Sequence, residues 1–340
     1  MVNKNKNDFF IIAEVGQNHQ GKLSLALNYI KTFASLGADA VKFQIRNNKK
    51  LFSKEAYAAN YNSENAFAKT YGKHREKLEL SYSDLIKIKK ECKKYKVKFM
   101  VTPFDEESLE KICKIGVDII KIASFDLGNL PFINKIAKKR KPTVISVGGG
   151  NSKQIKKSIE ILTKYVKNVI ILHCNSEYPT PYQRLGLENI ITLKKNFKNC
   201  TVGSSDHFNG ILSGPVAYML GARVFEKHVT LNRSLKGTDH SFALEPEGFR
   251  KFVRDIERTP KMLPLKNKKF IGKESVFKKL GKSLTTNKII KKNKVIKIDD
   301  LTGIIFQENF IPVRNSNEII GKKALKDLTP GQPILVNDYK

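Results

Sequence analysis

Two histidines each close a short apolar run: Thr201-Val-Gly-Ser-Ser-Asp-His207 and Val224-Phe-Glu-Lys-His228, with one helical segment between them. A lone imidazole at a strand end is commonly satisfied by a backbone carbonyl, but two converging there suggest a divalent metal. Histidine with oxygen donors and no cysteine suits Mn²⁺, with Mg²⁺ or Co²⁺ as alternatives, and leaves positions open for water and substrate. Two lysines, Lys42 and Lys121, lie inside equally apolar runs, where an ammonium is costly unless an anion compensates it. Two readings follow. Either they form ion pairs with Glu14 or Asp126, or they join serine hydroxyls in a cationic cradle for a phosphorylated or carboxylated substrate.

These side chains can meet only if the elements carrying them are parallel strands. Short β-branched or aromatic runs separated by amphipathic helical patterns give eight strands: 9–16, 40–45, 98–104, 118–124, 142–148, 169–174, 200–207 and 223–230. Eight strand–helix repeats imply a closed (β/α)8 TIM barrel, whose active site is built at the carboxyl ends of the strands. Polar residues gather at those ends. Glu14 ends the first strand; Lys42 and Gln44 belong to the second; Lys121, Ser124 and Asp126 follow the fourth; Ser146 lies in the fifth. Ser176 and Tyr178 follow the sixth, Ser205, Asp206 and His207 end the seventh, and Lys227 and His228 close the eighth.

The second strand–helix connection, 46–80, is long and lacks a regular pattern, which reads as a flap over the barrel mouth. The barrel domain is expected over 1–258, a proline- and lysine-containing linker over 259–275, and a small, mostly β module over 276–340. Lysine and arginine outnumber the acids 63 to 32, a formal charge of +31. The lysines recur in nearly every helical segment, with no stripe of interleaved aromatics, so a solvated basic surface is expected and no specific nucleic-acid partner. Cys92, Cys113, Cys174 and Cys200 form no CxxC motif and read as reduced core thiols. The first residues lack an apolar stretch of signal length, and no run reaches the ~18 apolar residues of a membrane span. Cytoplasmic residence is expected.

Together the motifs resemble the sialic acid synthases, the N-acylneuraminate or nonulosonate synthases. The likeness rests on Ala13-Glu-Val-Gly-Gln-Asn-His-Gln-Gly21, Gly37-Ala-Asp-Ala-Val-Lys-Phe-Gln44, Thr102-Pro-Phe-Asp105, Lys121-Ile-Ala-Ser124, Ser176-Glu-Tyr-Pro179, Gly203-Ser-Ser-Asp-His207 and Glu226-Lys-His228. The tail, with Ile320-Gly-Lys-Lys-Ala324 and Pro330-Gly-Gln332, resembles the antifreeze-like (SAF) domain of those enzymes. The resemblance implies condensation of phosphoenolpyruvate with an N-acylated hexose, such as N-acetylmannosamine or a modified analogue, and release of phosphate by C–O cleavage. It implies Mn²⁺ on His207 and His228, phosphoenolpyruvate on Lys42, Lys121, Ser124, Ser146 and Ser205, sugar contacts from Tyr178 and Asp239, and Gln44 among the substrate-binding residues. Glu14 would stand beside metal and sugar, and Asp126 would take the position of a water-activating glutamate. Ser176 matches an asparagine found near the phosphate in some members. A homodimer with exchanged antifreeze-like modules is also implied.

Ile305-Phe306 occupies the position of an Arg-Pro pair that reaches the N-acyl sugar in other members, which leaves the acceptor open. A hexose 6-phosphate acceptor is the alternative within the same chemistry. A non-catalytic carbohydrate- or nucleic-acid-binding barrel is the alternative outside it.

Overall fold

A computed structural model describes residues 8–263 and 272–340. The chain divides into two compact units, residues 1–263 and 264–340. In the first, β1 (Phe10–Gly16), β2 (Ala40–Ile45), β3 (Lys98–Pro103), β4 (Ile119–Ile122), β5 (Thr143–Ser146), β6 (Val169–Cys174), β7 (Thr201–Asp206) and β8 (Val224–His228) form a closed parallel barrel in sequence order. All eight strands fall where the apolar runs place them. Six of them are shorter at an end than expected, so Ser124 and Asp126 lie in a 3-10 turn and His207 one residue beyond β7.

Strands buried on both faces need apolar residues in succession, which Phe-Ile-Ile-Ala of β1 and Val-Ile-Ile-Leu of β6 supply. One set of side chains points outward into a shell shared with the helices, where Tyr29 and Phe33 stack and Phe33 meets Phe249 edge-on at 5.2 Å. The alternate set fills the barrel. Its lower layers are apolar, with Phe10, Ile12, Ala40, Met100, Ile119, Val144, Ile170, Leu172 and Val224.

Two residues further along, the same inward positions become Glu14, Lys42, Lys121, Ser146, Cys174 and Glu226. The sheet register sets Glu14 opposite both Lys42 and His228, and Ser205 opposite Glu226. The two-residue side-chain period of a strand therefore separates a greasy floor from a charged mouth within one barrel.

The connection after β2 contains three short helices, Asn48–Leu51, Lys54–Ala58 and Tyr71–Lys77, where the sequence shows no regular pattern. Each is at most two turns long, too short for an apolar period to register. The last barrel helix, Pro246–Met262, continues through Pro260 and past the expected domain end at residue 258. Residues 264–271 of the expected linker lie outside the described residues.

The second unit pairs β9 (Ser283–Thr286) with β10 (Leu301–Ile304) in an antiparallel sheet. Its own small core contains Leu284, Ile290, Ile296, Ile319, Ala324, Leu328 and Ile334. Among the described residues no helix is long and apolar enough to cross a membrane.

Candidate active site

A cavity of about 870 Å³ opens at the carboxyl ends of the strands. At its base Lys42 Nζ lies 2.9 Å from Glu14 Oε1 and 3.3 Å from Glu226 Oε1, and Lys121 Nζ lies 3.3 Å from the same Glu226 oxygen. Ser205 donates its hydroxyl to that oxygen at 3.1 Å. All four charged groups are buried, so their charges are set by one another. Burial opposes ionisation of Glu226, but Lys121, Lys42 and His228 hold its carboxyl down at about 2. Burial and the nearby Glu226 instead push Glu14 upward, beyond what Lys42 and Gln44 offset. Two carboxyls around shared lysines thus divide into a fixed anion and a group that retains a proton more readily.

Burial opposes the charge of Lys42, yet Glu14 and Glu226 raise its pKa above the ordinary lysine value. Lys121, with Glu226 as its closest carboxylate, is lowered by burial. Ser146 Oγ is buried without a hydrogen-bond partner, beside these lysines in the same cavity. Such a set of lysines and free or easily released hydroxyls matches the needs of a phosphate or carboxylate.

His207 and His228 stand across the mouth with ring centroids 5.2 Å apart. His207 Nδ1 donates to the Asn175 carbonyl at 2.7 Å, so Nε2 is the ring nitrogen open to a ligand. His228 Nδ1 is buried without a partner, since Asp239 Oδ2 is 3.6 Å away, and Glu14 Oε2 is likewise unpartnered. Burial lowers the His228 pKa to about 4, so the ring is neutral. Among the described residues no group of three or more His, Cys, Asp or Glu side chains is arranged to hold a metal ion. The donor set still fits a divalent ion with two imidazole ligands, the remainder coming from substrate and water.

The flap is tied to this site through charge. Arg46 begins it and Glu79 ends it: the Arg46 backbone N–H and guanidinium donate to the Glu79 carboxylate at 3.2 and 3.1 Å. The guanidinium also donates to Gln44 Oε1 at 2.6 Å, which fixes the sense of the amide and directs Gln44 Nε2 to Glu14 Oε1 at 2.8 Å. At the far side, Asn65 accepts from the Gly237 backbone N–H at 2.9 Å and joins the flap to the loop carrying Asp239.

Comparison with known proteins gives this geometry a relation. The model of the NeuB family matches residues 29–268. The chain belongs to the NeuB family. It is similar to the N-acetylneuraminate-9-phosphate synthase of Homo sapiens, 33% identical over 93% of this chain and 88% of that one. The N,N'-diacetyllegionaminic acid synthase of Campylobacter jejuni is 36% identical over 93% of this chain and 96% of its own. The crystal structure of N-acetylneuraminic acid synthetase from Leptospira borgpetersenii in complex with citrate superposes with a TM-score of 0.70 at 30% identity, covering 82% of this chain and 95% of that one. The protein is an enzyme of the nonulosonate synthase type, a carbon–carbon bond-forming transferase.

Within this NeuB-family chain, Glu14, Lys42, Gln44, Lys121, Ser124, Asp126, Ser146, Tyr178, Ser205, His207, His228 and Asp239 all line the one cavity. Ser176 does not; its Oγ lies beside Gly148 and 3.9 Å from Cys174 Sγ. Asp126 pairs with neither lysine and accepts from Asn129 Nδ2 at 2.9 Å. Asp206 and Lys227 point away from the mouth and bond each other at 2.7 Å.

Cys174, read as a core thiol, is buried but faces the cavity. In the sequence, Glu226 stands out only within the Glu226-Lys-His228 motif and without a role, and the flap residues Asn65, Tyr71 and Arg75 not at all. Glu226 was findable, because it lies two residues before His228 on the same strand and must share its face.

Proposed function

We propose that this NeuB-family enzyme condenses phosphoenolpyruvate with the open-chain aldehyde of an N-acylated hexose and releases inorganic phosphate. The observation that carries this reading is a single cavity lined by two lysines, three serines, two converging histidines and four carboxylates, Glu14, Asp126, Glu226 and Asp239. Lys42, Lys121, Ser124, Ser146 and Ser205 bind phosphoenolpyruvate, placing its C3 toward the acceptor. Gln44, Tyr178 and Asp239 orient the sugar, with Glu14 beside its carbonyl.

C3 forms a bond to the aldehyde carbon as the carbonyl π pair moves to oxygen, which takes a proton. Glu14, whose burial favours the protonated form, stands within the site as a proton source. C2 is left as an oxocarbenium ion. Water adds there and Asp126 accepts its proton; burial raises the Asp126 pKa toward that of a useful base. The tetrahedral adduct then expels phosphate by breaking the C2–O bond as its C2 hydroxyl gives its proton to the departing phosphate, leaving the 2-keto acid.

A divalent ion on His207 and His228, Mn²⁺ by the donor set, would supply Lewis-acid polarisation of the aldehyde oxygen. Tyr178 stays a neutral phenol, its pKa raised by burial, and packs at a tilt against His207 with ring centroids 4.0 Å apart, closing one wall.

The family reading includes a homodimer. The deciding experiment is metal-dependent phosphate release from phosphoenolpyruvate across a panel of N-acyl hexoses, including N-acetylmannosamine. Phosphate release with none of them overturns the proposal.

A further inference from the structure

Asp206 directly precedes His207 and Lys227 directly precedes His228, yet neither lines the cavity. The two are register partners across β7 and β8, both buried, with Lys227 Nζ 2.7 Å from Asp206 Oδ2. The neighbouring outward positions, Val202 of β7, Phe225 of β8 and Val229 just beyond it, belong to the apolar shell between strands and helices. In such a shell an ion pair gains little over two well-packed apolar side chains, because desolvation consumes most of the Coulomb attraction. Stability alone does not account for it.

Its hydrogen bonds show what it holds. Asp206 Oδ1 accepts from the Phe208 backbone N–H at 2.7 Å, and Lys227 Nζ donates to the Phe208 carbonyl at 2.5 Å. Ser213, which opens the helix Ser213–Met219, donates its hydroxyl to Asp206 Oδ2. Both backbone groups of the residue after His207 are therefore gripped by the side chains of the residues before the two histidines. A strand alternates its side chains, so the pair works from the outer face of the barrel while both imidazoles face the mouth.

Such a grip matters most where few ligands come from the protein. With only two imidazoles to hold a divalent ion, their relative placement carries the preorganisation, and metal–ligand distances tolerate only about 0.2 Å of error.

We propose that the buried Asp206–Lys227 pair is a positioning device for the metal site, clamping the end of β7 to β8 so that His207 and His228 keep the spacing a divalent ion requires. This rests on the reading that these two histidines bind the metal. Neither Asp206 nor Lys227 touches metal or substrate; both are positioning residues.

The test uses Mn²⁺ alone, with the free ion counted by electron paramagnetic resonance. Asp206→Asn combined with Lys227→Met removes both charges together, leaves no buried ion unpaired and keeps an acceptor for the Phe208 N–H. This double variant should stay folded by circular dichroism and urea unfolding, since exchanging a buried pair for uncharged groups is often neutral. Its Mn²⁺ affinity should fall by roughly 10- to 100-fold, the range for losing an outer partner of a metal ligand. Phosphoenolpyruvate affinity, measured by calorimetry without metal, should be unchanged, because Lys42, Lys121 and the serines stand on other residues.

A folded double variant that binds Mn²⁺ as tightly as the unaltered chain overturns the inference. So does one that loses Mn²⁺ and phosphoenolpyruvate affinity together, as a general loosening of the mouth would produce. Should the double variant not fold, Ser213→Ala decides: it keeps both charges, releases one hydrogen bond to Asp206 and should weaken Mn²⁺ binding several-fold, and an unchanged affinity overturns the inference. An unaltered chain that binds no Mn²⁺ overturns the metal reading itself and the inference with it.

Discussion

Glu14 and Glu226 are the same side-chain type a few ångströms from the same lysine, yet their surroundings give them opposite tendencies. Glu226 bridges both lysines and is held ionised, so removing its charge leaves buried ammonium groups without a counter-ion. Glu226→Gln is expected to cost about 3–5 kcal/mol in urea unfolding, the range for breaking a buried pair. Glu14→Gln, replacing a group already pushed toward its neutral form, should cost well under half of that. Equal costs would show that the two carboxyls are not differentiated.

His207→Ala should abolish metal-dependent phosphate release by more than the roughly 10- to 100-fold that losing an outer hydrogen-bond partner costs a metal site. Far-ultraviolet circular dichroism should stay unchanged.

His19 is buried, and burial lowers its pKa from 6.5 to about 4. Its folded value lies below its unfolded value, so between the two the unfolded chain binds more protons. Its contribution is full above about pH 6.5 and is lost at ~1.4 kcal/mol per pH unit as pH falls toward 4. His19→Gln should flatten stability against pH in that window, and an unchanged slope in urea titrations would refute the assignment.

At the scale of elements, the end of β1 shows how backbone geometry serves side chains. Gly16 has φ +55°, and a Cβ there would stand 3.2 Å from Gln44 Nε2, 3.3 Å from Glu14 Oε1 and 3.5 Å from Asp239 Oδ2. Gly16→Ala should lose ~1 kcal/mol from the left-handed backbone alone. It should also raise the acceptor KM, because the Gln44–Glu14 bond lies in the way.

The eight strands were legible because buried parallel strands are apolar throughout, and that signal survives in short windows. The helices between them were legible by period. One is also stopped at both ends by local chemistry: Asp105 caps Glu106–Ile115 by accepting from Ser108 N–H, and Gly116 closes it at φ +84°. The flap was not legible. Its helices are too short for periodicity, and its placement comes from the Arg46–Glu79 pair and the Asn65–Gly237 bond, which join residues far apart in sequence.

On the scale of the whole molecule, the formal charge is +31. Many surface lysines lie in short-range pairs such as Lys94–Glu91, Lys111–Glu107 and Lys261–Glu257, each worth a few tenths of a kcal/mol and screened by salt. The excess should speed capture of anionic substrates at low ionic strength. The proposed homodimer predicts a sedimentation mass twice the 38.6 kDa of the chain. A monomer at working concentration would remove that part of the proposal.

By itself the sequence determined the barrel, the strand that carries each polar residue, and the histidine and lysine pairs that mark the chemistry. These follow from local hydrophobic runs and from which residues end them. Only the tertiary structure decided that Glu226 and not Asp126 partners Lys121, that Cys174 faces the cavity while Lys227 turns away, and that Arg75 enters the cavity from the flap. Those outcomes depend on register around a closed barrel and on loop closure, where a shift of one residue moves a side chain to the opposite face.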